Sequence, residues 1–211
     1  MVRKQVEARG VRDPRVLQAM RFVSREDYVP EAKAPLAYED RPLDIGCGQT
    51  ISQPFIVALM VQALQLRGQE KVLEVGTGSG YGAAVLAHLS REVFTIERLP
   101  SLARAAARRL AEDGCHNVHV LEGDGTLGHP MQAPFDAIVV AAGAPQVPEA
   151  LLSQLAVGGR LVIPVGQDLD DQNLMLVRRL AANEYQAQHL ADVRFVPLLG
   201  AQGFCEQTTR H

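Results

Sequence analysis

The sequence predicts an α/β protein: a doubly wound, mostly parallel, Rossmann-like sheet with a C-terminal antiparallel strand pair and an N-terminal helical cap. Three observations carry this. From residue 72 onward, short apolar runs alternate with segments whose apolar residues recur at helical spacing, the pattern of βαβ units around a buried parallel sheet. The first run, residues 72–75, leads into the turn Gly76-Thr77-Gly78-Ser79-Gly80 directly ahead of a helical stretch, 83–89. After Gly166, two strand-like runs are joined by a connection too short for a crossover helix, which calls for antiparallel pairing.

The elements follow in order. Asp13-Pro14 is an N-cap followed by proline at the first helical position, opening a helix that carries Val16, Leu17, Met20 and Arg21. Residues 30–48 contain several prolines and no sustained period, so a loop with at most one short strand is expected. Pro54 starts a helix to about residue 66, with Ile56, Leu59, Met60, Ala63 and Leu64 as its buried face. Parallel strands are expected at 72–75, 93–97, 118–122, 137–141 and 161–165. A helix over 101–113 buries Leu102, Ala103, Ala106 and Leu110, and another over 148–156 begins at a proline. Asp113-Gly114 and Gly158-Gly159 are expected to close these two helices. The final strands fall at 174–180 and 191–198, and the polar end of the chain is expected to fray. With no repeat or low-complexity linker, the chain is one domain over 1–211: cap and active-site loop 1–70, α/β core 71–200, flexible tail 201–211.

Composition narrows the partners. A length of 211 residues with 47% hydrophobic residues supplies one sizeable core. The net charge of -3 and the lack of a basic run give no electrostatic footprint for nucleic acid. Cys47, Cys115 and Cys205 are odd in number and far apart, against a disulfide framework or a metal site, and suit a reducing cytoplasm. No apolar segment is long enough for an export signal or a membrane span. No nucleic acid, membrane or metal partner is therefore expected.

The glycine loop carries the first chemistry. Glycine is needed where a turn leaving a buried strand takes angles a Cβ forbids and a ligand approaches the main chain. Counting Gly-x-Gly-x-x-Gly from Gly76 puts Tyr81 at the last glycine of the dinucleotide fingerprint. The spacing is instead Glu74-x-Gly76-x-Gly78-x-Gly80. It resembles motif I of the class I S-adenosylmethionine-dependent methyltransferases, so Glu74, Gly76, Thr77, Gly78, Ser79, Gly80 and Tyr81 are expected at that cofactor, with Glu74 alternatively anchoring loop N–H groups. Glu97 ends the next strand about twenty positions on, where such folds place an acid for ribose hydroxyls; the competing reading is a surface carboxylate.

A wider resemblance names an acceptor. Gly48-Gln49-Thr50-Ile51-Ser52-Gln53-Pro54, Tyr38-Glu39-Asp40, the glycine loop, Gly123-Asp124-Gly125, Gly158-Gly159, Pro164-Val165-Gly166 and Val193-Arg194-Phe195-Val196-Pro197-Leu198 occur in the order found in the protein-L-isoaspartate O-methyltransferases. The chain resembles that family from about its first helix to residue 200. The resemblance implies methyl transfer from S-adenosylmethionine, leaving S-adenosylhomocysteine, to the free α-carboxylate of isoaspartyl residues in damaged peptides and proteins. It implies Ser52 as the active-site residue and Thr50, Ile51, Gln53, Val196 and Pro197 at the substrate. It also implies Asp124 at the adenine amino group, with Gly125 clearing the ring. Ser52 as a simple helix cap, and Asp124-Gly125 as a simple turn, are the plain alternatives.

The chemistry asks for little else. A peptide α-carboxylate has a reference pKa near 3.5, so at neutral pH it is already an anionic nucleophile and needs no general base. The six histidines form no triad. Positioning supplies the rate, with Ser52 as an orienting donor. The sequence departs from the family pattern at Asp44, Cys47, Gly82 and Thr126-Leu127-Gly128. A nicotinamide oxidoreductase is disfavoured by the glycine spacing, and a non-catalytic peptide-binding module by the intact Thr50-Ile51-Ser52.

Overall fold

A computed structural model of the chain describes residues 1–205. Seven strands form the main sheet: β3 (Lys71–Val75), β4 (Glu92–Glu97), β5 (Val118–Glu122), β6 (Phe135–Val140), β7 (Leu155–Asp168), β8 (Asp171–Ala181) and β9 (Glu184–Val193), in the spatial order β5-β4-β3-β6-β7-β8-β9. The first five are mutually parallel; β8 and β9 continue antiparallel. A separate hairpin pairs β1 (Leu43–Gly46) with β2 (Gln49–Ile51), so the 30–48 region holds one strand of a pair that the sequence pattern hid.

Side chains alternate across the sheet and feed two cores. Val72, Val93, Ala137 and Val162 join the layer of α1 (Pro14–Phe22), α2 (Pro54–Leu64), α3 (Tyr81–Ala87) and α4 (Pro100–Glu112). Leu73, Phe94, Ile138 and Leu161 join the opposite layer under α5 (Glu149–Gln154). Leu73, Ile138 and Leu161 are fully buried, each stabilising the fold by about 1.5–3 kcal/mol as an upper estimate. Asp13 caps α1 as expected, its Oδ1 accepting Arg15 N at 2.8 Å, and α4 buries Leu102, Ala103, Ala106 and Leu110.

Four expectations are corrected. The buried residues of α2 are Pro54, Ala58, Met60, Val61 and Leu64, while Ile56, Leu59 and Ala63 are half-buried; a helix apolar all round gives its period no phase. Gly158-Gly159 do not end a helix: α5 stops at Gln154, and residues 156–159 form a bulge in β7 opposite Asp136. The last strand is not 191–198 but β9, a polar edge strand exposed along most of its length, which carries no apolar alternation to be read. Finally, residues 201–204 are tied down: Phe204 N donates to Leu198 O at 2.8 Å and Ala201 N to Asp124 Oδ2 at 2.7 Å. The rest of the expected tail, 206–211, lies outside the described residues.

Candidate active site

Between β4 and β6, strand β3 is the point from which the parallel strands run outward in both directions, and such switch points open a crevice beyond the C-terminal strand ends. The glycine loop crosses it. Gly76 N donates to Ile96 O at 2.9 Å, Gly78 N to Glu97 Oε2 at 2.9 Å and Gly80 N to Thr77 O at 2.9 Å. From α4, Arg109 Nη1 holds Ser79 O at 2.7 Å. Gly78 is left-handed, at φ +54°, and a Cβ on it would lie 3.4 Å from Ile45 Cδ1 of the β1–β2 hairpin. Loop and hairpin thus face each other across a gap that a side chain would fill.

Glu74 lies beneath the loop, 3% exposed. Its Oε2 accepts the Thr95 hydroxyl at 2.6 Å, and Thr95 Oγ1 is 2.6 Å from Thr77 Oγ1. Burial, opposed by the Thr95 bond and helped by the charge of Glu97, pushes its pKa up to about 8, so it is mostly neutral at pH 7. The unusual Gly82 has a local reason: a Cβ there would stand 2.2 Å from Glu74 Oε1, so the carboxyl takes the room a larger residue would need.

Glu97 is also buried, and its carboxylate braces the loop, Oε1 accepting Leu99 N at 3.0 Å alongside the Gly78 bond. Asp124 differs. Its Oδ1 accepts Thr126 N at 2.9 Å and Thr126 Oγ1 at 2.6 Å, and its Oδ2 takes Ala201 N. Burial alone would raise its pKa, but those hydrogen bonds hold it below the usual carboxylate range. The structure thus uses Asp124 to fasten the 200–204 turn, the sequence's plain turn reading with a tertiary partner added. Gly125 lines the crevice, and its bare Cα also serves packing, since a Cβ would meet Val75 Cγ1 at 2.4 Å.

On the other side of the crevice, β2 and the residue after it bring in Thr50, Ile51 and Ser52. Among the described residues the Ser52 hydroxyl makes no hydrogen bond. Ser52 does not cap α2: Gln53 occupies that position, and Phe55 N is met at 3.3 Å by Asp40 Oδ1 from the cap. Gln53 turns away, its Nε2 donating to Asp40 O at 2.9 Å. The opposite wall contains Val196 and Pro197, held by a residue the sequence reading passed over. Gln172 of β8 is 1% exposed; its Oε1 accepts Phe195 N at 2.8 Å and its Nε2 donates to Phe195 O at 3.1 Å. Gly143 leaves it space and bonds Val196 O and Leu198 N from the other side.

These groups line one cleft. Thr50, Ile51, Ser52, Glu74, Gly76, Thr77, Gly78, Ser79, Tyr81, Glu97, Gly125, Val196 and Pro197 line it; Gln53, Gly80 and Asp124 do not. It also takes in Gln49, Arg98, Leu99, Ala141, Ala142 and Leu199. Ala141-Ala142 could have been found, because they follow the strand that flanks the switch point. Leu199 could not, since it arrives only when the chain end folds back.

A parallel sheet diverging at β3, a glycine loop there and an acid closing the neighbouring strand define a Rossmann-like methyltransferase of the S-adenosylmethionine-dependent class. The family model described as Protein-L-isoaspartate(D-aspartate) O-methyltransferase matches residues 1–203, and the chain belongs to that family. A protein-L-isoaspartate O-methyltransferase of Rhodopseudomonas palustris (strain ATCC BAA-98 / CGA009) is 58% identical over 204 residues, 97% of this chain and 94% of the relative. One of Protochlamydia amoebophila is 57% identical over 209 residues, 99% of each chain. A solved protein-L-isoaspartate O-methyltransferase superposes with a TM-score of 0.84 at 30% identity, covering 96% of this chain and 67% of its own. A putative one from Plasmodium falciparum, solved in complex with S-adenosyl-L-homocysteine, gives 0.81 at 27% identity over 94% and 96% of the two chains.

Proposed function

We propose that this chain transfers a methyl group from S-adenosylmethionine to the free α-carboxylate of L-isoaspartyl residues in peptides and proteins, the first step of their repair. The observation that carries the reading is the juxtaposition, in a chain matching this family over residues 1–203, of a glycine loop and the Ser52 hydroxyl, unpaired among the described residues, on one cleft. When bound, S-adenosylmethionine supplies an electrophilic methyl carbon on a sulfonium. The order of strand ends supports how the chain would hold it: Gly125 after β5 and Leu199 beside the base, Glu97 at the end of β4 by the ribose, and Gly76 to Ser79 with Tyr81 after β3 at the amino-acid end. Gly80 shapes the loop from behind, and Asp124 builds the base wall by pinning the 200–204 turn.

The acceptor then lies between Thr50–Ser52 and Val196–Pro197. Ser52 and neighbouring main-chain groups orient one carboxylate oxygen and leave the other free to attack, with no proton to remove. Glu74, neutral at pH 7, adds little negative charge to the cleft floor. The fixed Phe195–Leu198 wall, aligned by Gln172, distinguishes the displaced main chain of an isoaspartyl link from a normal aspartyl residue, because a mismatched peptide leaves buried polar groups unpaired. Three unpaired cysteines fit a reducing, cytoplasmic setting, and no helix among the described residues is long and apolar enough to cross a membrane. Labelled S-adenosylmethionine offered with matched isoaspartyl and aspartyl peptides tests the reading. Base-labile label is expected on the isoaspartyl peptide alone, and equal or absent labelling overturns it.

A further inference from the structure

Arg25, at the start of the 3₁₀ turn Arg25–Tyr28, is 0% exposed. Its Nε donates to Ala37 O at 2.8 Å and its Nη2 to Ser52 O at 2.8 Å, while Nη1 is buried without a hydrogen-bond partner among the described residues. The guanidinium carbon stands 5.0 Å from the centre of the Tyr81 ring. One side chain therefore touches the cap, the acceptor edge and the glycine loop. No carboxylate among the described residues forms an ion pair with it. Asp40, the acid whose charge reaches it, is engaged by Arg9 at 2.8 Å. Burial pulls its pKa down to about 10, with Tyr81 and then Asp40 opposing, so the guanidinium keeps its charge at neutral pH.

A buried cation without a counter-ion is unfavourable, and two carbonyls could be held as well by a neutral amide. The charge needs another reason, and the acceptor provides one. We propose that Arg25 is the fixed counter-charge that selects an anionic methyl acceptor, a positioning residue acting from behind the Ser52 main chain. This rests on the methyl-transfer reading above. In the transfer, a carboxylate oxygen lone pair forms the O–C bond as the C–S bond breaks and its electrons return to sulfur. Anion and sulfonium become a neutral ester and a thioether, and no proton moves. The cation therefore favours the bound acid over the bound ester. It favours the acid over the half-neutralised transition state as well, so it strengthens acceptor binding and eases product release without raising the rate of the chemical step.

The test compares an isoaspartyl peptide with its α-carboxamide counterpart, each bound to the full chain in the presence of S-adenosylhomocysteine. The parent should prefer the acid by roughly 10- to 100-fold. Arg25→Lys should keep most of that preference, while Arg25→Gln should erase it and raise the peptide KM by a similar factor, with kcat unchanged or higher by up to about tenfold. A merely structural role would lower kcat and melting temperature and leave the acid-to-carboxamide ratio intact. A parent that binds both peptides equally overturns the proposal with no variant needed, as does an Arg25→Gln protein that keeps the preference. A parent that methylates no isoaspartyl peptide instead refutes the activity, and the binding ratio still judges Arg25.

Discussion

Replacing Glu74 by glutamine isolates one buried proton. The folded pKa of about 8 stands against an ordinary value of 4.5, raised first by desolvation. Between those two values the folded chain keeps a proton that the unfolded chain has lost, so stability falls as pH rises through the window and levels off above it. The slope approaches about 1.4 kcal/mol per pH unit. Integrated from pH 5.5 to 8.5, the fall due to Glu74 is about 3 kcal/mol. Glutamine keeps the shape and an acceptor for Thr95 Oγ1 but has no proton to lose. Urea unfolding of parent and Glu74→Gln at several pH values gives the difference, in which histidines and surface carboxylates common to both cancel. The variant should gain on the parent by about 3 kcal/mol across that range. Parallel stability curves would show that Glu74 is ionised throughout, and the neutral floor of the cleft would have to be abandoned.

Three further outcomes follow from single contacts. Ser52→Ala removes a hydroxyl that makes no hydrogen bond among the described residues, so unfolding free energy should stay within about 0.5 kcal/mol while kcat/KM on an isoaspartyl peptide falls about tenfold or more; unchanged turnover would deny Ser52 an orienting role. Gly78→Val places a β-branched residue at φ +54° and fills the gap facing Ile45; calorimetry should register loss of S-adenosylhomocysteine binding, with about 1–2 kcal/mol of strain in the fold. Gly82→Ala puts a Cβ 2.2 Å from Glu74 Oε1 and should cost about 1–3 kcal/mol in thermal unfolding; a Glu74→Ala background should remove most of that penalty, and additive costs would locate the clash elsewhere.

The parallel half of the fold was legible because β3, β4 and β6 are buried on both faces and read as apolar runs between turn signals, while the half-buried edge strand β5 still carries Val118, Val120 and Leu121. Where burial is one-sided or absent, that signal disappears. Residues 184–190 of β9 show no apolar alternation, so the sequence pattern sets the strand at 191–198; only 191–193 belong to β9, and beyond them the backbone is held by the Gln172 side chain at Phe195 and by the main chain of Gly143 at Val196 and Leu198. A glutamine between Asp171 and Asn173 has nothing in its sequence neighbourhood to mark it as buried. Only the antiparallel register, which sets Gln172 opposite Val193, brings it under Phe195.

The three acids at the strand ends carry the same lesson into the site. In the sequence Glu74, Glu97 and Asp124 are equivalent, each lying at or just beyond the end of a parallel strand next to glycine or a turn. The structure gives them different work through two features no local pattern holds. One is side-chain parity along β3: Glu74 points into the layer beneath α3, with Val72, and so is desolvated and neutral, while Val75 points into the other core. The other is the return of the chain past Leu198, which brings Ala201 N to Asp124 and gives that carboxylate a structural partner. Glu97 is the member of the set that both braces the loop through Gly78 N and lines the cleft. A change at Glu97 would therefore disturb loop geometry and cleft lining together, whereas a change at Asp124 would reach the cleft through the 200–204 turn beside Leu199.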